Sequence, residues 1–165
     1  MASRRKARET VLKVLYMCES RDLTVDEAFA EMESIDREIK NNAGDTDALN
    51  LKPFALGFSG KQKEFALSLA RTIECSKDTL NEHIKAVLKN WDFERVSRID
   101  RMIMWIAISE MKVMLDIPSI VSVNEAIELA KKFSSSKSPA FVNGVLDAVA
   151  RNMGIIKNNK TEKAT

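Results

Sequence analysis

Between residues 98 and 115, apolar side chains fall on every side of a helix. Ile99, Met102, Ile103, Met104, Trp105, Ile106, Ala107, Ile108, Met111, Val113, Met114 and Leu115 all lie in this stretch. A helix without a polar face has to be wrapped by other elements, so the segment is expected to be the central helix of the fold. Asp116-Ile117-Pro118 stops it, because proline lacks the amide donor and disfavours helix in the residue before it. With only 5 Gly and 3 Pro in 165 residues, the wrapping is expected to come from more helices and not from a turn-rich β fold.

The remaining periodicity supplies them. Ala7, Val11, Val14, Leu15 and Cys18 recur at helical spacing within residues 3–21. Leu12 and Tyr16 fall on a second strip beside Arg5 and Glu9; packing under a neighbouring helix is the ordinary reading of that strip, and a contact surface is the other. Thr24 and Glu27 have the form of a capping box, followed by an inward face of Ala28, Met32, Ile35 and Ile39 that ends at residues 41–44. Residues 41–58 are the longest irregular connection. A box from Ser59 to Gln62 opens a helix to about Lys89, striped by Phe65, Leu69, Ile73, Ser76, Leu80, Ile84 and Val87. Ser97 starts the central helix, and Ser122 with Glu125 forms a box opening the next, through Phe133. Ser138 as cap and Pro139 at the first position announce the last helix, with Val142, Val145, Leu146 and Val149 inward. Gly144 inside it costs about 1 kcal/mol relative to Ala, which implies close packing or a ligand at that point. Gly154 ends it. The expectation is an all-α chain with a single domain over residues 1–154 and a flexible Lys-rich tail over 155–165.

Net charge is only +2, but it is segregated: residues 1–21 hold six Lys/Arg against two Asp/Glu, and residues 22–50 hold two against nine. A uniformly basic nucleic-acid binder is thereby excluded, while a local basic patch is favoured. Cys18 and Cys75 have no companion cysteines, so they read as buried thiols in a reducing compartment. No apolar run is long enough to cross a membrane, and charges interrupt the stretch after Arg4-Arg5-Lys6, so a cytoplasmic protein is expected.

Catalytic chemistry is not assembled. Gly57-Phe58-Ser59-Gly60-Lys61-Gln62 has the look of a phosphate loop, but that motif needs Gly where Ala55 stands and Ser or Thr where Gln62 stands. His83 is the single histidine and has no nucleophile or carboxylate at motif spacing, so a surface or partly packed position is expected. Glu110 shares a side with Ile99, Ile103 and Ile106, and without a second group beside it a structural role is expected. Asn159-Lys160-Thr161 matches a glycosylation sequon but lacks secretory context. No metal-ligand spacing occurs and no cofactor is called for.

Arg4, Arg5, Lys6 and Arg8 crowd the start of the first helix, where free backbone amides and the positive dipole end favour anions. Taken alone, a short basic run is most often a solvated terminus. Phe141, at the start of the last helix, either stacks on a nucleobase or joins the core; the residues leave both open.

A longer pattern bears on both. Pro118-x-x-Val121-x-Val123-Asn124-Glu125-Ala126-Ile127-Glu128-Leu129-Ala130-Lys131-Lys132-Phe133, then Phe141-Val142-Asn143-Gly144-Val145-Leu146-Asp147, resembles the signature of the NusB family of transcription antitermination factors. Arg4 through Glu9 with Leu15-Tyr16, and Trp91 with Arg95, Ile99-Asp100-Arg101, Ala107 and Glu110, are similar to the family's other blocks, in the same order. The resemblance implies two three-helix bundles packed across each other and a non-enzymatic role in processive transcription of ribosomal RNA operons. Its implied partners are single-stranded boxA RNA, the ribosomal protein NusE and the transcription elongation complex, and it leaves a homodimer open. It would place Arg4, Arg5, Lys6, Arg8, Phe141 and Asn143 at the RNA, put Leu12, Tyr16 and Asp100 at the protein partner, and make Asn124 and Glu110 framework positions.

Trp105 stands where the family commonly has Arg, Ser109 where it has Tyr, and Pro139-Ala140 where a basic residue precedes Phe141. More of the RNA assignment therefore rests on the N-terminal arginines. The same helical domain also resembles the N-terminal part of certain ribosomal RNA cytosine methyltransferases, but no Gly-rich βα motif or catalytic Cys segment follows residue 150. A protein-binding adaptor that does not touch RNA is the third reading, separable by a salt-dependent RNA titration.

Overall fold

A computed structural model describes residues 2–42, 55–57 and 60–156. Among them the chain is all-helical: α1 Ala2–Arg21, α2 Val25–Asn41, α3 Lys61–Lys85, α4 Arg98–Val113, α5 Ser119–Phe133 and α6 Ser138–Asn152, with a short 3-10 turn at Phe93–Arg95. Two compact units divide at residue 74. Ser59, most of the long connection and the sequon at residues 159–161 lie outside the described residues.

In the first unit α1 buries Ala7, Val11, Val14, Leu15 and Cys18, the expected stripe, against a face of α2 made by Val25, Ala28, Phe29 and Met32. Ile35 and Ile39 are only half-buried, so the inward face of α2 is shifted toward its start, where Val25 and Phe29 do more of the packing. The capping box is formed: the Glu27 amide donates to Thr24 Oγ1 at 3.3 Å and the Thr24 amide to Glu27 Oε2 at 2.8 Å. Those hydrogen bonds from Thr24, its backbone amide first, hold the Glu27 carboxyl below its ordinary range. Asp22 closes α1 from the left-handed region at φ 54°, the Leu23 amide reaching back to the Cys18 carbonyl at 3.1 Å. The acidic face of α2 is tied to α3: Asp26 to Arg71, Glu33 to Lys63, and the Val25 amide to Glu74 Oε1 at 2.8 Å. Exposed pairs of this kind contribute little stability each, but they set which way α2 faces.

The second unit is built on α4, every residue of which from Met102 to Met111 is buried. Ser97 caps it, accepting from the Asp100 amide at 3.1 Å. α5 and α6 pack on α4 and on each other. Val142, Val145, Leu146 and Val149 are the inward face of α6, and Gly154 at φ 71° ends it as the Ile155 amide returns to the Ala150 carbonyl at 2.9 Å.

Several expectations need correction. α3 ends at Lys85, not near Lys89, and the apolar run of α4 outlasts the helix, leaving Leu115 88% exposed. α5 begins at Ser119 behind Pro118, three residues before the expected Ser122 cap, because the extended backbone of Pro118 is already a helix entry. α6 likewise has Lys137, not Ser138, at its cap. Gly144 is exposed and a Cβ there would meet nothing within 4 Å, so neither close packing nor strain explains it. Cys75 is exposed, unlike Cys18.

Candidate nucleic-acid interface

The basic cluster sits in the first turns of α1, a helix with no acidic residue in its first turn. Cations at the positive end of a helix dipole are in an unfavourable position that a bound anion relieves. Arg4, Arg5 and Lys6 are exposed, whereas Arg8 is only 3% exposed. Phe65 of α3 meets both Arg4 and Arg8: their guanidinium groups lie 5.7 Å and 5.9 Å from its ring centroid, a contact that suits Arg better than Lys. Lys6 Nζ donates to the Gly57 carbonyl at 3.0 Å, and the Gly57 amide donates to both Asp36 carboxylate oxygens at 3.1 Å. Gly57 holds φ at 68°, the left-handed region that favours glycine, and a Cβ there would come 3.0 Å from Lys6 Nζ, the flexible end of a side chain that can shift.

Further along α1, Tyr16 is 46% exposed and Leu12 is buried. The strip they share is thus split, its upper residue facing outward and its lower one packed. The remaining expected residues belong to the second unit. Asp100 is buried and accepts from Ser134 Oγ at 2.7 Å and Ser138 Oγ at 3.0 Å, tying the start of α4 to the entry of α6. Phe141 is half-buried with its ring centroid 6.3 Å from that of Trp91, and Asn143 is exposed.

Of the framework pair, Glu110 is fully buried and accepts from Ser122 Oγ at 2.8 Å. Asn124 faces outward, so the polar tie from α5 to α4 is made by Ser122 and not by Asn124. Pattern reading had spent Ser122 and Ser138 on caps and Ser134 on a loop, and so missed the clasp they make with the two carboxylates of α4. The family departures on α4 are buried too: Trp105 donates its indole N–H to Asn81 Oδ1 at 2.9 Å, with Lys77 over its ring, while Ser109 Oγ finds no hydrogen-bond partner among the described residues. His83, half-buried, lies 3.3 Å from Lys112 Nζ through Nε2; desolvation first and the lysine charge second lower its pKa. Since an ammonium can only donate, the ring accepts as the neutral form protonated at Nδ1. Among the described residues no three His, Cys, Asp or Glu side chains are grouped to hold a metal, and no helix is long and apolar enough to cross a membrane.

A model of the NusB family matches residues 5–151. The transcription antitermination protein NusB of Myxococcus xanthus (strain DK1622) is 37% identical over 150 residues, covering 91% of this chain and 96% of that protein. That of Clostridium botulinum (strain Loch Maree / Type A3) is 36% identical over 144 residues, covering 87% and 96%. Among solved structures, T. maritima NusB matches with a TM-score of 0.69 at 29% identity over 90% of each chain. A crystal structure of the antitermination factors NusB and NusE in complex with dsRNA matches with a TM-score of 0.65 at 24% identity, covering 92% of this chain and 98% of that one, a likeness of fold.

Proposed function

The chain belongs to the NusB family, and we propose that it acts in transcription antitermination, not as an enzyme, by holding the boxA element of nascent ribosomal RNA as a single strand while pairing with NusE. The observation that carries the RNA half is the start of α1, where Arg4, Arg5 and Lys6 are exposed at a positive helix end without an acidic residue in the turn. Phosphates are what such a surface attracts, and Phe141 with Asn143 supplies base-facing groups in the second unit. Arg8 serves from beneath, through Phe65. For the protein half, Tyr16 offers its exposed ring to NusE, with Leu12 packed on the same helix of the first unit, and Asp100 is the residue assigned to the partner in the second unit. A fold relative solved as the antitermination factors NusB and NusE in complex with dsRNA supports pairing with NusE and binding of RNA, there as a duplex. Residues 1–154 act as one domain in this reading, within a transcription elongation complex in the cytoplasm.

RNA and NusE are expected to bind as a cooperative pair. Tyr16 follows Arg8 by eight residues on one helix, about 12 Å at ~1.5 Å rise per residue, so a partner held at Tyr16 can extend along the same RNA. Effective concentration then tightens RNA binding, and linkage requires RNA to tighten NusE by the same factor. The test titrates a short boxA-like RNA and a scrambled control, each with and without saturating NusE. Tighter binding of the boxA-like strand, enhanced by NusE and with the enhancement reduced in Tyr16→Ala, is expected. Equal affinity for both strands removes the boxA assignment, and equal affinity with and without NusE removes the cooperative pairing.

A further inference from the structure

The chain's two tryptophans are treated in opposite ways. Trp105 is buried with its N–H satisfied by Asn81. Trp91 is 56% exposed, which leaves the largest apolar side chain type in water without a core role. Its backbone is nevertheless well held. Asp92 caps the 3-10 turn that follows, accepting from the Glu94 amide at 3.0 Å. Phe93 is buried beneath Lys85 and Arg101, whose cationic groups lie 5.2 Å and 5.3 Å from its ring centroid. A buried anchor two residues downstream therefore presents the indole at the surface.

The neighbour it meets there is Phe141, the residue already expected at the RNA. The two ring planes are tilted by 46° at a centroid separation of 6.3 Å, so the rings do not cover one another by parallel stacking. Exposed cations flank both: Lys89 lies two residues before Trp91, and Lys137 sits one turn before Phe141, whose amide donates to the Lys137 carbonyl at 3.3 Å. Adjacent aromatic faces bordered by lysines are what a single strand needs, bases stacking on the rings while phosphates meet the cations.

We propose that Trp91 is a base-stacking residue, forming with Phe141 a two-ring platform for neighbouring bases of the single-stranded RNA. The proposal rests on the RNA-binding reading above and adds a residue which that reading does not use. Phe141 alone would hold one base; the pair lets the second unit grip the strand in a way that tolerates sequence changes, since every base has a π face.

The experiment titrates a short single-stranded boxA-like RNA into the wild-type chain, W91F and W91A, reading affinity and intrinsic tryptophan fluorescence together. The wild-type emission is expected to be quenched on binding. W91F, whose remaining tryptophan is the buried Trp105, is expected to keep most of the affinity and show no quenching. W91A is expected to bind about five- to 150-fold more weakly, the range for losing one aromatic stack. Its salt dependence should be unchanged, because no phosphate contact is lost. Should W91A not fold, the wild-type and W91F spectra decide. RNA binding with no quenching of the wild type overturns the proposal and leaves the RNA reading standing, whatever W91A does. A W91A chain that binds RNA as tightly as the wild type overturns it as well. No binding of RNA by the wild type overturns both.

Discussion

The start of α1 and the buried flank of α4 handle charge in opposite ways. On α4, Asp100 and Glu110 are ionisable groups taken out of water, and serine hydroxyls from the loop before α6, from α6 and from α5 turn toward them. On α1, cations are left at the surface of a helix end that already repels them. The first arrangement makes sense only as internal framework, because a buried carboxylate costs stability unless it is hydrogen-bonded. The second makes only exposed contacts, Lys6 to the Gly57 carbonyl and Arg4 to the Phe65 ring, and keeps its charge at the surface, where a polyanion can reach it. Two sets of charged residues of similar appearance in the sequence therefore belong to different tasks, and substitutions separate them by what they damage.

The largest effect is expected at Glu110. Glu110→Ala opens a cavity and strips Ser122 of its acceptor, and should destabilise the fold by about 3 kcal/mol in chemical denaturation. A loss below about 0.5 kcal/mol, the size of an ordinary surface change, would break the framework side of the comparison. Asp100→Ala leaves two hydroxyls without their carboxylate, but these still bond to each other at 2.9 Å, so a smaller loss of about 2 kcal/mol is expected. If Asp100→Ala instead weakens NusE binding with stability intact, Asp100 belongs to the partner surface directly.

Pattern reading found the framework role of Glu110 but missed the serines that meet these carboxylates. The stripes of α1 and α6 were legible, since burial of one helix face imposes a period, and α4 was legible from its lack of a polar face. The serines were not. Ser-x-x-Glu and Ser-Pro are local cap patterns, and nothing within four residues of Ser122 or Ser138 reveals that Glu110 and Asp100 lie across from them. Of the two readings of Gly144, close packing and a ligand, the open face removes close packing. On the site, charge at the start of α1 was visible directly. That Arg8 would be packed under Phe65, and that Trp91 would stand beside Phe141, depends on residues some fifty positions away, for which the sequence carries no local signal.

A smaller change sharpens the comparison from the other direction. Ser109 buries a hydroxyl on α4 that has no hydrogen-bond partner among the described residues. Ser109→Ala is expected to stabilise the chain by about 1 kcal/mol, since an unsatisfied buried hydroxyl costs on that order. Thermal or chemical denaturation reads it, and a loss of stability would mean the hydroxyl is bonded in solution.

The smallest effect on folding and the clearest on function are expected together at Arg4, Arg5 and Lys6. Replacing all three by Ala, then measuring both unfolding free energy and RNA affinity across a salt series, tests most directly the claim that this end of α1 exists for a polyanion. Stability should fall by no more than about 1 kcal/mol, because the contacts of Arg4 with Phe65 and of Lys6 with the Gly57 carbonyl are exposed, while the slope of log affinity against log salt should flatten by about 0.7 per lost phosphate contact. An unchanged slope, with RNA bound as tightly as before, would contradict the account and reduce the basic turn to a solvated terminus.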